Sequence, residues 1–234
     1  MPLLYYTHGR RDQMKVALTF DDGPNPPRTD QVIEILNSRG ARGTFFVLGK
    51  WAERWPQALE RIIKQGHVVG NHSYDHHAHL GDFDRAEAAI GNVIGRPTQF
   101  IRAHYFNFFA CLYSPVARSK HVKIVDADVN PADWAKADPQ AIVEATLNDP
   151  ALMAGSIIDL HDGSETTDDG LRLSRAMTMI EALPAIVDGL QQKGYQLVGL
   201  DEMELVDSIE WIPDERGKVA SPEMREIVSQ LGGA

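Results

Sequence analysis

Apolar residues along the chain follow two patterns that alternate from near residue 15 to about residue 203. Short runs that are continuously apolar, with β-branched and aromatic residues, predict strands buried on both faces. Seven runs are of this kind: KVALTF, GTFFVLG, HVVGNHS, QFIRAHY, HVKIVDADV, GSIIDLHDG and YQLVGLDEM. Longer segments with apolar residues three and four positions apart predict helices between most of these strands. Alternating strands and helices favour an α/β fold with a mostly parallel sheet.

The predicted helices end mainly at glycines, which commonly terminate helices. They are RTDQVIEILNSRG, WAERWPQALERIIKQG, FDRAEAAIGNVIG and LRLSRAMTMIEALPAIVDGLQQKG, the last interrupted by Pro184. We therefore expect a distorted (β/α) barrel of about seven mostly parallel strands, with its active site at the carboxyl ends of the strands. One domain is expected over residues 1–234, with a core at about 15–203 and a polar appendage at 204–234.

The composition limits which binding partners and which cellular location we expect. The chain has 234 residues, of which 43% are hydrophobic, and 33 acidic against 23 basic residues give a net charge of −10. An acidic surface argues against nucleic acid and anionic lipid as partners. Cys111 is the only cysteine, so an intrachain disulfide is excluded. No run approaches the roughly 20 apolar residues of a membrane span and no secretory signal is visible. We expect no membrane insertion and a cytoplasmic protein, or a secreted or periplasmic one if a leader was removed; the oligomeric state is not predicted.

Polar and ionisable residues cluster where the predicted strands end. In a barrel of parallel strands these ends meet on one rim, so residues spread over 140 positions can form one site. The cluster consists of Asp21, Asp22, His72, Arg102, Tyr105, His161 and Asp162, with Asp133 and Trp134 a little after another strand.

The histidines of NHSYDHH suggest a metal site. His72 and His76 are four residues apart, so one turn would point both imidazoles the same way. Two histidines and one carboxylate form a facial triad that leaves positions for water and substrate. A lone H-x-x-x-H is more often a surface cluster, but Asp21 or Asp22 at an earlier strand end can supply the third ligand.

The adjacent carboxylates Asp21 and Asp22 would repel each other unless a cation lies between them. If one binds a metal, the other is free to act as a general base. Gly23 would let the backbone pass close to the site, and Pro24 would fix the following turn. The competing interpretation of this D-D-G-P segment is a plain acidic turn.

Three further residues suit the same chemistry. His161 ends a strand on this rim and could protonate a leaving amine, although a single buried histidine is more often structural. Arg102 follows two apolar residues, where a charge requires a carboxylate partner. Trp134 could form the wall of a small apolar pocket, or pack in the core.

These segments resemble the polysaccharide deacetylases with a NodB-homology domain, carbohydrate esterase family 4. TFDDGP at 19–24 is similar to the first motif of that family, and HSYDH at 72–76 is similar to its H-[ST]-x-x-H motif. The likeness spans about residues 15–203. It implies a metal-dependent hydrolase that removes N-acetyl groups from an acetylated sugar or oligosaccharide.

The resemblance also implies the role of each site residue. Asp21 would be the catalytic base and His161 the catalytic acid, while Asp22, His72 and His76 would bind a divalent metal. The metal is expected to be zinc, with cobalt or another divalent ion as the alternative.

The remaining roles implied by the family concern orientation and substrate contact. Arg102 would orient the base, and Asp133, or else Asp128, would tune His161. Leu160 and Trp134 would border the pocket for the acetyl methyl group, and the Tyr105 N–H would help hold the oxyanion.

The third motif departs from the family pattern R-x-P-[YF]-G, because this chain has Arg102-Ala103-His104-Tyr105-Phe106. Losing proline and glycine changes the backbone freedom of this loop, so His104 is expected to reshape the substrate cleft. Two alternatives stay open: a deacylase for a soluble small-molecule amide or an O-acetyl ester, and a non-catalytic carbohydrate-binding domain. The second is disfavoured because the base, the acid and the metal ligands are all present.

Overall fold

The strands and helices follow the alternation in the sequence. A computed structural model describes residues 5–77, 79, 81–103, 111, 114–119, 121–164 and 170–207, with the backbone alone at 170–176. The strands in these residues are β1 Tyr5–Gly9, β2 Lys15–Gly23, β3 Gly43–Val47, β4 Val68–Asn71, β5 Phe100–Ile101, β6 Lys123–Val125, β7 Ile157–His161, β8 Gln196–Leu197 and β9 Leu205–Asp207. The helices are α1 Arg28–Ser38, α2 Gly49–Arg54, α3 Pro56–Lys64, α4 Asp82–Ile94, α5 Pro139–Leu147 and α6 Gly170–Gln192.

The strands form one curled sheet in the order β7-β2-β3-β4-β5-β6-β1-β9, with β8 beside β2. Every pairing is parallel except that of β9 with β1. Val129, which follows β6, forms a parallel bridge with Ile158 of β7, and the Asp159 N–H donates to the Val129 carbonyl at 2.9 Å. This bridge brings the two sides of the sheet together, and the predicted distorted (β/α) barrel is confirmed.

Two strands were not predicted from the sequence. Tyr5–Gly9 pairs in parallel with β6, and Leu205–Asp207 pairs antiparallel with β1. Both are short; β9 is the edge strand, and β1 lies between β9 and β6. The sheet therefore extends beyond residues 15–203 on both sides.

The helices differ from the prediction at two prolines. The segment predicted as one helix from Trp51 divides into α2 and α3, with Pro56 as the first residue of α3. Helix α6 instead continues through Pro184. No helix within the described part of the chain combines the length and apolar character needed to cross a bilayer.

Strand alternation sorts the core into two layers. Leu18, Phe20 and Leu160 belong to the cluster that lies between the sheet and the helices, whereas Ala17 and Ile157 belong to the cluster inside the barrel. Because side chains alternate along a strand, every second residue of β7 from Ile157 faces the barrel interior. This parity places residues 159 and 161 on the inner face.

Candidate active site

The end of β2 presents two consecutive carboxylates to one site. Asp21 lies opposite His161 in the register between β2 and β7. Asp22 has a positive φ of 70°, and the pairing with β3 shifts between Asp21 and Gly23. Successive side chains of a regular strand point to opposite faces, so this left-handed residue is what breaks the alternation. Both carboxylates can therefore face the same rim.

Asp22, His72 and His76 form a group of possible metal ligands. Their ligand atoms all lie within 4.8 Å of one another. The Nε2 atoms of His72 and His76 lie 3.7 and 3.6 Å from Asp22 Oδ1. Ligands about 2.0–2.2 Å from a four-coordinate ion are separated by slightly more than 3 Å, so these spacings suit a small divalent ion. Two imidazoles and a carboxylate are also a donor set that such ions accept.

The loop after β4 holds the two histidines through a short chain of hydrogen bonds. Asn71 Oδ1 accepts the Ser73 N–H at 2.9 Å, and Ser73 Oγ accepts the His76 N–H at 3.2 Å. His72 Nδ1 donates to the Arg102 carbonyl at 2.9 Å, which leaves the lone pair on Nε2. Ser73 and His76 both have positive φ, 76° and 73°, so the loop turns sharply enough to aim both rings at Asp22.

Asp21 is buried beside Arg102. Arg102 Nη1 donates to Asp21 Oδ1 at 2.9 Å and to Thr19 Oγ1 at 2.7 Å. Burial raises the pKa of Asp21 to about 6, against the lowering effect of Arg102 and His161. Asp21 Oδ2 lies 3.5 Å from His72 Nε2, so the second oxygen faces the possible ligands. Arg102 thus occupies one oxygen of the carboxylate and leaves the other towards the site.

His161 is held by Asp133 at two points. The His161 main-chain N–H donates to Asp133 Oδ2, and the ring Nδ1 donates to Asp133 Oδ1, both at 2.9 Å. Burial on its own lowers the pKa of His161, but the facing Asp133 carboxylate and other nearby acids raise it well above the usual value. The imidazole is therefore oriented through Nδ1, with Nε2 turned to the cleft. Trp134 follows directly and its side chain is half exposed.

Two predictions from the sequence, those for Leu160 and Asp128, differ from what the contacts of the described residues favour. Leu160 is fully buried in the cluster between the sheet and the helices, on the opposite face of β7 from His161. Strand parity points the Leu160 side chain away from the rim, so the contacts of the described residues do not support its expected pocket role. Asp128 bonds Arg11 and the Ile157 N–H instead of His161. His104 and Tyr105, with Phe106, lie outside the described residues.

Asp159 is a site residue that the sequence interpretation missed. Its ligand atom lies within 4.8 Å of those of Asp21 and His161, and only 9% of the residue is exposed. Burial raises its pKa to about 7. The signal was a charged residue inside the apolar run GSIIDLHDG, two positions before His161 and so on the same face.

The comparisons with known proteins identify the family of the chain. The family described as polysaccharide deacetylase matches residues 8–110. The chitooligosaccharide deacetylase of Rhizobium leguminosarum bv. trifolii is 31% identical over 201 residues, which cover 82% of this chain and 92% of that protein. The chain belongs to the polysaccharide deacetylase family. Members of this family that it resembles are named as deacetylases of carbohydrates, so the family assignment also identifies the chain as an enzyme of this type.

Two more members define the extent of the likeness. The Bacillus subtilis peptidoglycan-N-acetylmuramic acid deacetylase PdaC is 30% identical over 203 residues, which cover 83% of this chain but 40% of that protein. This polysaccharide deacetylase thus spans less than half the length of PdaC. The crystal structure of the Bc1960 peptidoglycan N-acetylglucosamine deacetylase, bound to a naphthyl N-oxidanyl-benzamide, superposes with a TM-score of 0.74 at 28% identity and covers 85% of this chain and 92% of that one.

Proposed function

We propose that this polysaccharide deacetylase hydrolyses the N-acetyl group of an acetylated sugar or oligosaccharide, releasing acetate and a free amine. The observation that carries the proposal is the position of Asp21 and His161, facing each other across β2 and β7 beside the group Asp22, His72 and His76. A carboxylate and an imidazole whose ligand atoms lie within 4.8 Å of each other can move two protons across one scissile bond. The names of the relatives support a sugar substrate.

Asp22, His72 and His76 would bind the divalent ion. Their donor types and spacings fit zinc, and cobalt would fit the same set. When bound, such an ion polarises the acetyl carbonyl and makes water a better nucleophile near neutral pH. The positive charge also removes the repulsion between Asp21 and Asp22 that the sequence alone presents.

Asp21 acts as the general base. Its Oδ1 is held by Arg102, and Oδ2 faces His72, so a water that attacks the acetyl carbon can give its proton to Oδ2. Burial, which raises the pKa of Asp21 to about 6, makes this carboxylate a stronger base than an exposed aspartate. Arg102 keeps the carboxylate ionised and fixes its direction.

His161 acts as the general acid. The Asp133 carboxylate holds Nδ1–H and raises the pKa of His161, so the ring is protonated near neutral pH. Nε2–H can then be donated to the nitrogen that leaves as the C–N bond breaks, which balances the proton taken by Asp21. Trp134, half exposed next to Asp133, supplies an apolar wall on the substrate side of this pair.

The experiment is an acetate-release assay on N-acetylglucosamine oligomers with enzyme that has been stripped by a chelator and reloaded with zinc or cobalt. We expect no acetate from the stripped enzyme and restored release with either ion. An O-acetylated sugar measured in parallel distinguishes amide from ester hydrolysis. Absence of acetate from every N-acetylated sugar with every ion would reject the proposal.

A further inference from the structure

Asp159 lies on the inner face of β7, one layer below the proposed acid. It is buried, and both of its carboxylate oxygens accept hydrogen bonds from side chains of other elements. Oδ1 lies 3.2 Å from Arg102 Nη1, and Oδ2 accepts from Asn130 Nδ2 at 3.0 Å. A buried carboxylate costs free energy unless its partners require it, so these two contacts are informative.

The first contact leads to the proposed base. Arg102 Nη1 is shared by Asp159 Oδ1, Asp21 Oδ1 and Thr19 Oγ1. Thr19 and Asp159 lie opposite each other in the register between β2 and β7. Asp21 and His161 form the pair two residues further along the same strands. Asp159 therefore holds the guanidinium from below while Asp21 receives it from above. The direction of the Asp21 carboxylate depends on where this nitrogen is held.

The second contact leads to the proposed acid. Asn130 donates to Asp159 through Nδ2 and accepts the Ala132 N–H through Oδ1 at 2.9 Å. Ala132 has a positive φ of 50°, an unfavourable conformation for alanine that the Asn130 contact supports. The next residue is Asp133, which holds His161 at two points. Asn130 thus connects Asp159 to the loop that orients the acid.

We propose that Asp159 is a positioning residue that fixes the base and the acid relative to each other, through Arg102 on one side and Asn130 on the other. This inference rests on the proposed roles of Asp21 and His161. Since a misplacement of about 1 Å can cost roughly a hundredfold in rate, one carboxylate that holds both supports has a direct effect on turnover.

Substitution of Asp159 by asparagine tests the arrangement with little change in shape. Arg102 and Asn130 are both donors, so an amide at position 159 can accept from only one of them and presents its NH₂ to the other. Asn130 cannot correct this by rotating its amide, because its Oδ1 is needed by the Ala132 N–H. Asn130→Ala is the second variant, and it removes the acid side alone.

The matched control is Asp128→Asn. Asp128 is also a largely buried carboxylate bonded to an arginine, Arg11, and to a main-chain N–H, that of Ile157. Ile157 is at the opposite end of β7 from His161. Asp128→Asn is expected to lower the melting temperature without changing turnover.

For zinc-loaded protein we expect Asp159→Asn to lower kcat about ten- to a hundredfold while KM changes less than about twofold. The double variant with Asn130→Ala should lose less than the product of the two single losses, because both act through one contact. In metal-free protein, the His161 ring resonances in NMR spectra should move in Asp159→Asn and Asn130→Ala and stay in place in Asp128→Asn.

Unchanged kcat in Asp159→Asn, multiplicative losses in the double variant, or unmoved His161 resonances would each overturn the inference. If Asp159→Asn does not fold, Asn130→Ala tests the inference instead. Unchanged kcat together with unmoved His161 resonances in Asn130→Ala would overturn it. If the wild type releases no acetate from any substrate, the proposed function fails on its own. The NMR comparison requires no turnover and still decides whether Asp159 positions His161.

Discussion

His161 and Asp133 are joined by two hydrogen bonds of 2.9 Å, one from the main-chain N–H and one from the ring Nδ1. A carboxylate that holds both the backbone and the ring leaves the imidazole a single orientation. Asp133 is itself almost fully buried, at 1% exposure, so its charge acts on His161 through little intervening water. The pair therefore fixes the direction of the ring and also stabilises its protonated form.

Asp133→Asn is expected to move the alkaline limb of the pH–rate profile to lower pH. The proposed acid works only when protonated, and the Asp133 charge raises the pKa of His161, so loss of that charge lowers the pH at which the proton is lost. We expect kcat at pH 7–8 to fall about 10²- to 10⁴-fold, the range typical of a general acid. A pH series of kcat measures this, with Asp138→Asn, at the cap of α5, as the control. An alkaline limb unchanged in Asp133→Asn would contradict the assignment of His161.

His72→Ala is expected to remove most of the bound metal. Loss of a supporting residue outside the ligand shell costs about 10–100-fold in metal affinity, so loss of a direct ligand should cost more. Zinc per chain, measured by elemental analysis after dialysis, should fall well below that of the wild type. His77→Ala is the control, because His77 belongs to the same segment but is exposed and paired with Asp75. Equal zinc content in wild type and His72→Ala would exclude His72 as a ligand.

The sequence predicts the outline of the site because its information is local. TFDDGP and HSYDH each place their chemistry within a few residues, and strands that end on one rim bring the two segments together. The face of the sheet to which a strand residue points is harder to predict from the sequence, because an error of one residue in the strand alternation exchanges the two faces. The pocket role of Leu160 is implied by the family resemblance alone, whereas the register of β7 shows that its neighbour Asp159 faces the barrel interior.

Contacts between residues that are far apart in the chain could not be predicted from the sequence. Asn130 reaches Asp159 across 29 positions, and nothing in DVNPADW distinguishes it from an ordinary loop asparagine. The strand Tyr5–Gly9 was missed for a related reason. Tyr5 and Tyr6 pack into different clusters on the two faces of the sheet, and that becomes evident only when β6 lies beside them.

Asp21→Asn is expected to remove most of the turnover while the metal stays bound. Asparagine keeps the shape of aspartate but has no useful basicity, so the attacking water loses its proton acceptor and kcat should fall about 10²- to 10⁴-fold. Zinc content should match the wild type, since Asp22, His72 and His76 are unchanged. Acetate release and zinc analysis on one preparation measure both. Activity near the wild-type level would exclude Asp21 as the base.

Gly163→Ala is expected to destabilise the fold and disturb the metal ligands together. A Cβ at Gly163 would overlap the Asp22 carbonyl oxygen and lie 2.8 Å from the Gly23 nitrogen, and these are main-chain atoms that cannot rotate away. Overpacking of this kind costs about 1–3 kcal/mol, and here the displaced residue is a proposed ligand. Thermal unfolding should show a lower melting temperature, and zinc titration a weaker affinity.

Gly91→Ala is the matched control. Gly91 lies within α4, and a Cβ there would have the Arg96 carbonyl oxygen as its neighbour at 3.7 Å, an ordinary van der Waals contact. Alanine is favoured over glycine in a helix interior by about 0.5–1 kcal/mol, so this variant should unfold at a slightly higher temperature with unchanged zinc affinity. A Gly163→Ala protein as stable and as metal-avid as the wild type would show that the turn after His161 does not pack against Asp22 in solution. The metal site would then have to be supported from the β4 loop alone.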